Sequence, residues 1–165
     1  MSLSDNELTP DQIIALKGGF DAWINKNRAE LNHLKAHIEN ISNESEPSMI
    51  QSNIMQSLTW LARTATLMAE AKSLYSIAQG NFAAYARDYA PSIAKLVIKK
   101  HTADIEKVVV FIGRANAMLT HGIEALRSVL SYQKNLMQVD RQTAPRRGPF
   151  RARTSSRIKS RRGVI

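Results

Sequence analysis

Hydrophobic residues recur at steps of three or four along most of the chain, and the longest such stripe runs from Ile105 to Met137. This spacing predicts one long helix with an apolar face, about 50 Å in length at about 1.5 Å per residue. Inside it, the run 108–112 (VVVFI) is apolar on all sides, which is also typical of a short buried strand. The helical pattern on both sides of that run favours a helix.

A helix of this length and apolar character is not stable alone in water, so other helices or other copies of the chain must cover it. The earlier helices are two candidate covers. We also predict that part of the stripe mediates self-association. The residues predicted to do so are Ile105, Val108, Ile112, Leu119, Ile123, Leu126 and Leu130.

Two earlier helices precede this one. Thr9 and Pro10 are typical of a helix start, and apolar spacing continues to about Ile41, with a kink or a close approach of another backbone predicted at Gly18 and Gly19. The polar stretch 42–48 predicts a loop.

A second helix is predicted from about Ser48 to Gln79, with an interruption at Gly80 and Asn81. An aromatic-rich short segment follows over 82–89, as a separate helix or a continuation. Pro91 ends it, and Ser92 is the predicted N-cap of the final helix, which extends to about residue 138.

These elements predict an all-α fold, an elongated helical hairpin or bundle of three long helices and a short one. Residues 1–46 form an N-terminal helical arm and loop, and residues 47–140 form the helical core and oligomerisation domain. Residues 141–165 are expected to be a disordered Arg-rich tail, because their few apolar residues cannot offset the loss of chain entropy.

The net charge of +9 is concentrated in this tail. The first 140 residues hold equal numbers of basic and acidic side chains, whereas the tail has nine basic residues and no acid. Such a block releases counterions from a polyanion and often acts as an interaction arm. A solubilising role, a nuclear address or a contact with acidic lipid are the alternatives. We predict that the tail binds nucleic acid through Arg146, Arg147, Phe150, Arg151, Arg153, Arg157, Lys159, Arg161 and Arg162.

A second basic patch lies at the start of the final helix. It comprises Lys95, Lys99, Lys100 and His101, with Arg87 just upstream and two tyrosines nearby. Cations interleaved with aromatic rings are typical of a track for single-stranded nucleic acid, although an ordinary solvated helix end has the same composition.

Other site classes find little support. The chain has no cysteine, so cysteine-based zinc sites and thiol nucleophiles are excluded. His33 and His37 have the spacing of metal ligands and Glu30 is one turn away, but no cysteine and no third histidine nearby completes a set. No catalytic motif stands out, so we predict neither an enzyme nor a cofactor. No stretch is long enough to span a membrane and no signal peptide is evident, which predicts a soluble protein of the cytoplasm.

Two segments resemble a known family. Leu58–Tyr75 reads L-x-W-L-A-R-x-A-x-L-M-A-E-A-K-x-L-Y, with Trp60, Glu70 and Tyr75 as landmarks. The final helix leads from its lysine patch to I-E-A-L-R-S over 123–128. Together these segments cover roughly residues 50–137 and are similar to the recombination mediator proteins of T4-type phages, which are UvsY-like.

The resemblance implies a small all-helical protein that forms a ring-like oligomer and binds single-stranded DNA. Such a protein helps a RecA-like recombinase to replace the single-strand binding protein. The family's short basic DNA-contact motif corresponds best to residues 84–87, which lack its lysine. The N-terminal helix and the Arg-rich tail also go beyond the family pattern, so the tail is expected to supply part of the DNA contact.

The sequence therefore predicts an oligomeric, single-stranded DNA-binding accessory protein of recombination and repair. Two other classes remain open. One is a virion structural or scaffold protein whose tail contacts packaged genome, and the other is a helical adaptor that binds a membrane or a partner protein.

Overall fold

The computed structural model describes residues 8–41 and 46–143, with side chains described as far as Val139. The described residues form four helices and no strand: α1 (Pro10–Leu16), α2 (Phe20–Asn40), α3 (Pro47–Tyr85) and α4 (Pro91–Thr143). The predicted all-α class is confirmed, with three long helices and one short one. The run 108–112 is helical, so the strand alternative is excluded.

Helix α1 begins as predicted. The Thr9 hydroxyl accepts a hydrogen bond from the Gln12 backbone N–H, while the Gln12 side chain accepts one from the Thr9 N–H. This reciprocal capping satisfies two N–H groups that the first helical turn leaves unpaired.

The predicted kink at the glycine pair is a complete break between α1 and α2. Gly18 and Gly19 have φ angles of 61° and 88°, in the left-handed region of the backbone that residues with a Cβ rarely adopt. A Cβ on Gly18 would also lie 2.6 Å from Ile77 Cγ2. The short fourth helix is therefore α1, and not the aromatic segment 82–89.

Two other predicted boundaries, the interruption at Gly80 and the N-cap at Ser92, are wrong, whereas the alternative that segment 82–89 continues the preceding helix is confirmed as far as Tyr85. Helix α3 continues through Gly80 to Tyr85, because the residues around the glycine, Ala78 and Phe82, are fully buried in the core. Packing of this kind exceeds the cost of about 1 kcal/mol that glycine imposes on a helix interior. Pro91 occupies the first position of α4, where its missing N–H costs nothing, so the N-cap is not Ser92.

Helices α3 and α4 form a long antiparallel hairpin, and α2 packs along it. The core is a series of apolar clusters from one end to the other. Phe20 packs with Phe82 and Ile105 at one end, and Ile50 packs with Leu126 at the other. Helix α2 contributes buried residues to three of the four clusters, so the N-terminal arm shares its core with the hairpin.

Polar contacts fix α2 on the hairpin. Arg63 donates two hydrogen bonds to the Glu30 carboxylate, at 2.5 and 2.8 Å, and this interaction lowers the pKa of Glu30. Trp23 Nε1 donates to Glu70 Oε2 at 2.7 Å. Between the hairpin helices, Asn116 Nδ2 donates to the buried Thr64 hydroxyl at 3.1 Å. These hydrogen bonds fix the alignment of α2, α3 and α4 along one another, which apolar contacts alone do not specify.

Candidate nucleic-acid interface

The predicted basic patch lies at the end of the hairpin where α3 joins α4. Lys95, Lys99 and Lys100 are exposed on the first three turns of α4. Arg87 is also exposed. It lies in the turn that connects α3 to α4, two residues after the last residue of α3. The structure therefore brings these four cations to one end of the molecule.

His101 does not contribute a charge to this patch. Its ring stacks on Phe82, with a centroid distance of 5.1 Å and an interplanar angle of 11°. Burial lowers the pKa of His101, and the neighbouring charges of Lys100 and Lys17 lower it further, against an opposing effect of Asp104. The imidazole is therefore mostly neutral at pH 7, and its role is to pack against the core.

The exposed face of α4 extends the patch along the helix. Lys107 and Arg114 follow Lys100 at seven-residue steps, and all three side chains are exposed. Seven residues drift by only about 20° around a helix and advance by about 10.5 Å, so the three cations form a line. We call Lys100, Lys107 and Arg114 the basic row. The row leads from the patch towards the end of α4 where the Arg-rich tail begins.

Our sequence interpretation missed Lys107 and Arg114, although the signal was present. Both lie in the segment that contains the apolar stripe. Their seven-residue spacing is on the opposite face of that helix, and our interpretation considered only the apolar face. A search for charge at helical period would have found them.

One acid lies beside the row, and it has a partner of its own. Asp104 accepts a hydrogen bond from Lys17 Nζ at 2.5 Å. Burial alone would lower the pKa of Lys17, but the hydrogen bond to Asp104 and the charges of Asp104 and Asp21 outweigh it and raise the pKa. Lys17 therefore stays protonated and pairs with both Asp104 and Asp21, so it offsets part of the negative charge that Asp104 places beside Lys100 and Lys107.

Two tyrosines border the patch. The rings of Tyr85 and Tyr89 meet edge to face at a centroid distance of 6.0 Å, and their hydroxyls are 3.3 Å apart. Hydrogen bonding between the hydroxyls raises the pKa of Tyr85. Both side chains are half-buried, so each keeps part of its ring accessible for stacking at the same end as Arg87.

The seven residues predicted to mediate self-association lie in the core of a single chain and not on a free surface. Ile105, Ile112 and Leu119 are completely buried between the helices of one chain, and Ile123 and Leu126 are nearly so. Val108 and Leu130 are half-buried and pack against the same clusters. The assignment is corrected: the chain covers this stripe itself, and contact between copies requires another surface.

The histidine pair lines a crevice between α2 and α3. His33 and His37 share it with Asn53, Gln56 and Trp60, and its volume is about 410 Å³. His37 Nε2 lies 3.0 Å from the Ser57 hydroxyl, and burial lowers the pKa of this imidazole. No group of three or more histidine, aspartate or glutamate side chains among the described residues is arranged to hold a metal ion.

The predicted tail site lies outside the described residues. This applies to all of its members: Arg146, Arg147, Phe150, Arg151, Arg153, Arg157, Lys159, Arg161 and Arg162. Its contribution therefore stays a prediction from charge.

Across residues 8–41 and 46–143, none of the helices has a stretch apolar enough to cross a membrane. Comparison of the chain with protein-family models, with curated proteins and with solved structures found no significant match. The similarity to the T4-type recombination mediators therefore stays a prediction that rests on the two helical segments.

Proposed function

We propose that this protein is an oligomeric single-stranded DNA-binding accessory protein of recombination or repair, which helps to load a RecA-like recombinase. The observation that supports the proposal best is the run of exposed positive charge over the first 24 residues of α4. The exposed patch at the start of α4 passes into the basic row, and α4 then leads into a tail with nine basic residues and no acid.

The arrangement suits a polyanion that lies along the helix. The basic row places one cation about every 10.5 Å along α4, so a strand lying along the helix can place a phosphate, though not every successive one, beside each cation. Glu106 is the nearest acid in sequence to Lys107, but adjacent residues point about 100° apart around a helix, so it faces another direction. The row therefore presents a positive potential along most of its length.

The aromatic residues favour a single strand over a duplex. Unpaired bases stack on accessible rings, and every base has a face that can do so. Tyr85 and Tyr89 offer partly accessible rings beside Arg87, and Phe150 lies among the arginines of the tail. A protein with these groups binds strands with little sequence preference, as a recombinase-loading factor requires.

The proposal is one of binding and not of catalysis. Among the described acids, Glu30 contacts Arg63, Glu70 contacts Trp23 and Asp104 contacts Lys17, which are structural contacts between helices. The cytoplasm, a recombinase and a single-strand binding protein follow as the expected setting and partners of such a factor.

A virion or scaffold protein with a genome-contacting tail is the second candidate. It is favoured by the length of α4, which has 53 residues and exposes several large apolar side chains near its C-terminal end. The two candidates differ in the nucleic acid they prefer. A protein that contacts packaged duplex has no need to prefer single strands.

Replacing the basic row tests the proposal. We expect Lys100→Gln, Lys107→Gln and Arg114→Gln together to weaken binding to oligo(dT) by about 10- to 50-fold near 0.1 M salt. Each lost phosphate contact should also reduce the slope of log K against log salt by about 0.7. Fluorescence anisotropy over a series of salt concentrations measures both quantities.

The matched control removes three exposed cations from other helices, through Lys26→Gln, Lys35→Gln and Lys72→Gln. It has the same net charge as the row variant, so a general effect of charge would appear equally in both. If the two variants bind equally well, the row is not part of the track.

A further inference from the structure

Helix α4 extends beyond the body of the protein. Leu130 is the last residue of α4 that packs against a core cluster of the described residues, where it contacts the cluster of Ile50 and Ile54. The helix continues to Thr143. Thirteen further residues correspond to about 20 Å of helix at about 1.5 Å per residue.

The C-terminal part of α4, from Ala125 into this extension, carries a second apolar stripe, separate from the one in the core. We define the outer stripe as Ala125, Val129, Tyr132, Leu136 and Val139, which follow one another at steps of four, three, four and three residues. All five are exposed, with Tyr132 at 64% and Val139 at 54%. Met118, at 54%, continues the stripe one heptad earlier.

Alternating steps of three and four are the spacing by which one helix packs along another. The core stripe of α4 uses this spacing to pack against α2 and α3. The outer stripe repeats it on a different face, and no described part of the chain covers it. We propose that the outer stripe is the self-association surface of the protein, where α4 of a second copy packs antiparallel to it.

The area fits a second copy. The five side chains of the outer stripe expose apolar surface on the order of 400 Å² per chain, so a symmetric pair buries on the order of 800 Å² before flanking side chains are included. This is below the lower bound of about 1,200 Å² for stable specific interfaces, which fits a weak dimer. A two-fold pair needs only one surface, because the same stripe serves both copies.

The chain's own tail is a poor alternative cover. Residues 144–165 contain only four large apolar side chains, Phe150, Ile158, Val164 and Ile165, without helical spacing. They also contain eight of the nine tail cations. A segment of this composition does not supply the regular apolar face that the outer stripe requires.

The charges select the antiparallel orientation. A parallel pair would place two basic rows side by side and both Arg-rich tails at the same end, where like charges repel. An antiparallel pair centred near Tyr132 overlaps only the C-terminal halves of the two helices. It keeps the two basic rows at opposite ends of the pair and directs the two helix ends in opposite directions, so that neither the two rows nor the two tails start side by side.

The inference rests on the proposed function only in the expectation that the protein assembles, and it uses none of the nucleic-acid contacts. It is tested by sedimentation of the full chain without nucleic acid, at 1–50 μM in about 0.5 M salt, where charge repulsion is screened. We expect a dimer with a dissociation constant in the micromolar range. Leu136→Glu is expected to weaken it at least 10-fold, because a carboxylate would be buried in the interface.

Met55→Glu is the matched control, since Met55 is 65% exposed and lies on α3, a different helix from the outer stripe. It should sediment like the unmodified protein. The proposal is overturned if the full chain is a monomer at 50 μM, or if Leu136→Glu associates as strongly as the control. The affinity of Leu136→Glu for oligo(dT) is measured over the same salt series as for the basic-row variant. This second measurement distinguishes a failure of the self-association surface from a failure of the proposed function.

The distance between two spin labels, one on each copy, reports whether the two α4 helices pack parallel or antiparallel. The chain lacks cysteine, so Thr120→Cys gives one label per copy on an exposed position before the outer stripe. An antiparallel pair centred near Tyr132 places the two labels about 35–40 Å apart, whereas a parallel pair places them about 10–15 Å apart. A short distance would exclude the antiparallel arrangement.

Discussion

A chain that ends at Thr143 is expected to bind oligo(dT) at least about 100-fold more weakly than the full chain near 0.1 M salt. The truncation removes eight basic residues and no acid, and it leaves every described helix intact. If about six of these cations contact phosphates, the slope of log K against log salt falls by about 4. Fluorescence anisotropy over 50–400 mM salt measures both changes.

A full-length control separates charge from length. Replacing the same eight residues by glutamine keeps the tail but removes its charge, and it should lose affinity to a similar extent. The thermal midpoint of both variants should match that of the unmodified chain, because the core clusters lie within residues 8–130. Unchanged affinity and salt slope after truncation would place the site on the helices alone.

Replacing Phe82 by alanine is expected to lower the free energy of unfolding by about 3–5 kcal/mol. Phe82 is fully buried at the end of the hairpin where α3 joins α4, the closed end, and it packs there with Phe20, Ala78 and Ile105. Its ring also stacks on His101. The substitution leaves a cavity that three helices line, and helices anchored by several contacts do not collapse to fill it.

Urea unfolding followed by circular dichroism measures this loss. Met55→Ala is the control, because a side chain 65% exposed contributes little to the core and its removal should change stability by less than about 0.5 kcal/mol. A loss below about 1 kcal/mol for Phe82→Ala would contradict the packing described for the closed end.

The helices could be predicted because their apolar spacing is long and regular. The stripe from Ile105 to Leu126 is the buried face of α4, as its period indicated. The pattern did not reveal what covers it. A buried face has the same spacing whether the cover is a helix of the same chain or of another copy, so the seven predicted self-association residues belong to the core.

Local sequence signals were reliable where backbone geometry decided the outcome and unreliable where packing did. Gly18 and Gly19 break the helix because both adopt positive φ angles. Gly80 has no comparable constraint, and a Cβ there would meet no neighbour within 4 Å, so burial of Phe82 carries α3 through it.

The candidate site was predictable only in part. The lysines at the start of α4 were found as a cluster in sequence, whereas Lys107 and Arg114 join them only when charge is read at the period of a helix. The charge state of His101 also depends on a contact between helices, its stack on Phe82, which no local pattern reveals.

Binding of the full chain to oligo(dT) and to a duplex of the same length, compared over 50–400 mM salt, bears on the proposed function as a whole. We expect the single strand to bind at least about 10-fold more tightly near 0.1 M salt, because partly exposed aromatic rings add stacking to the phosphate contacts. The slope of log K against log salt should be about −4 or steeper. Equal or tighter binding of the duplex, or a slope near zero, would contradict the proposed function.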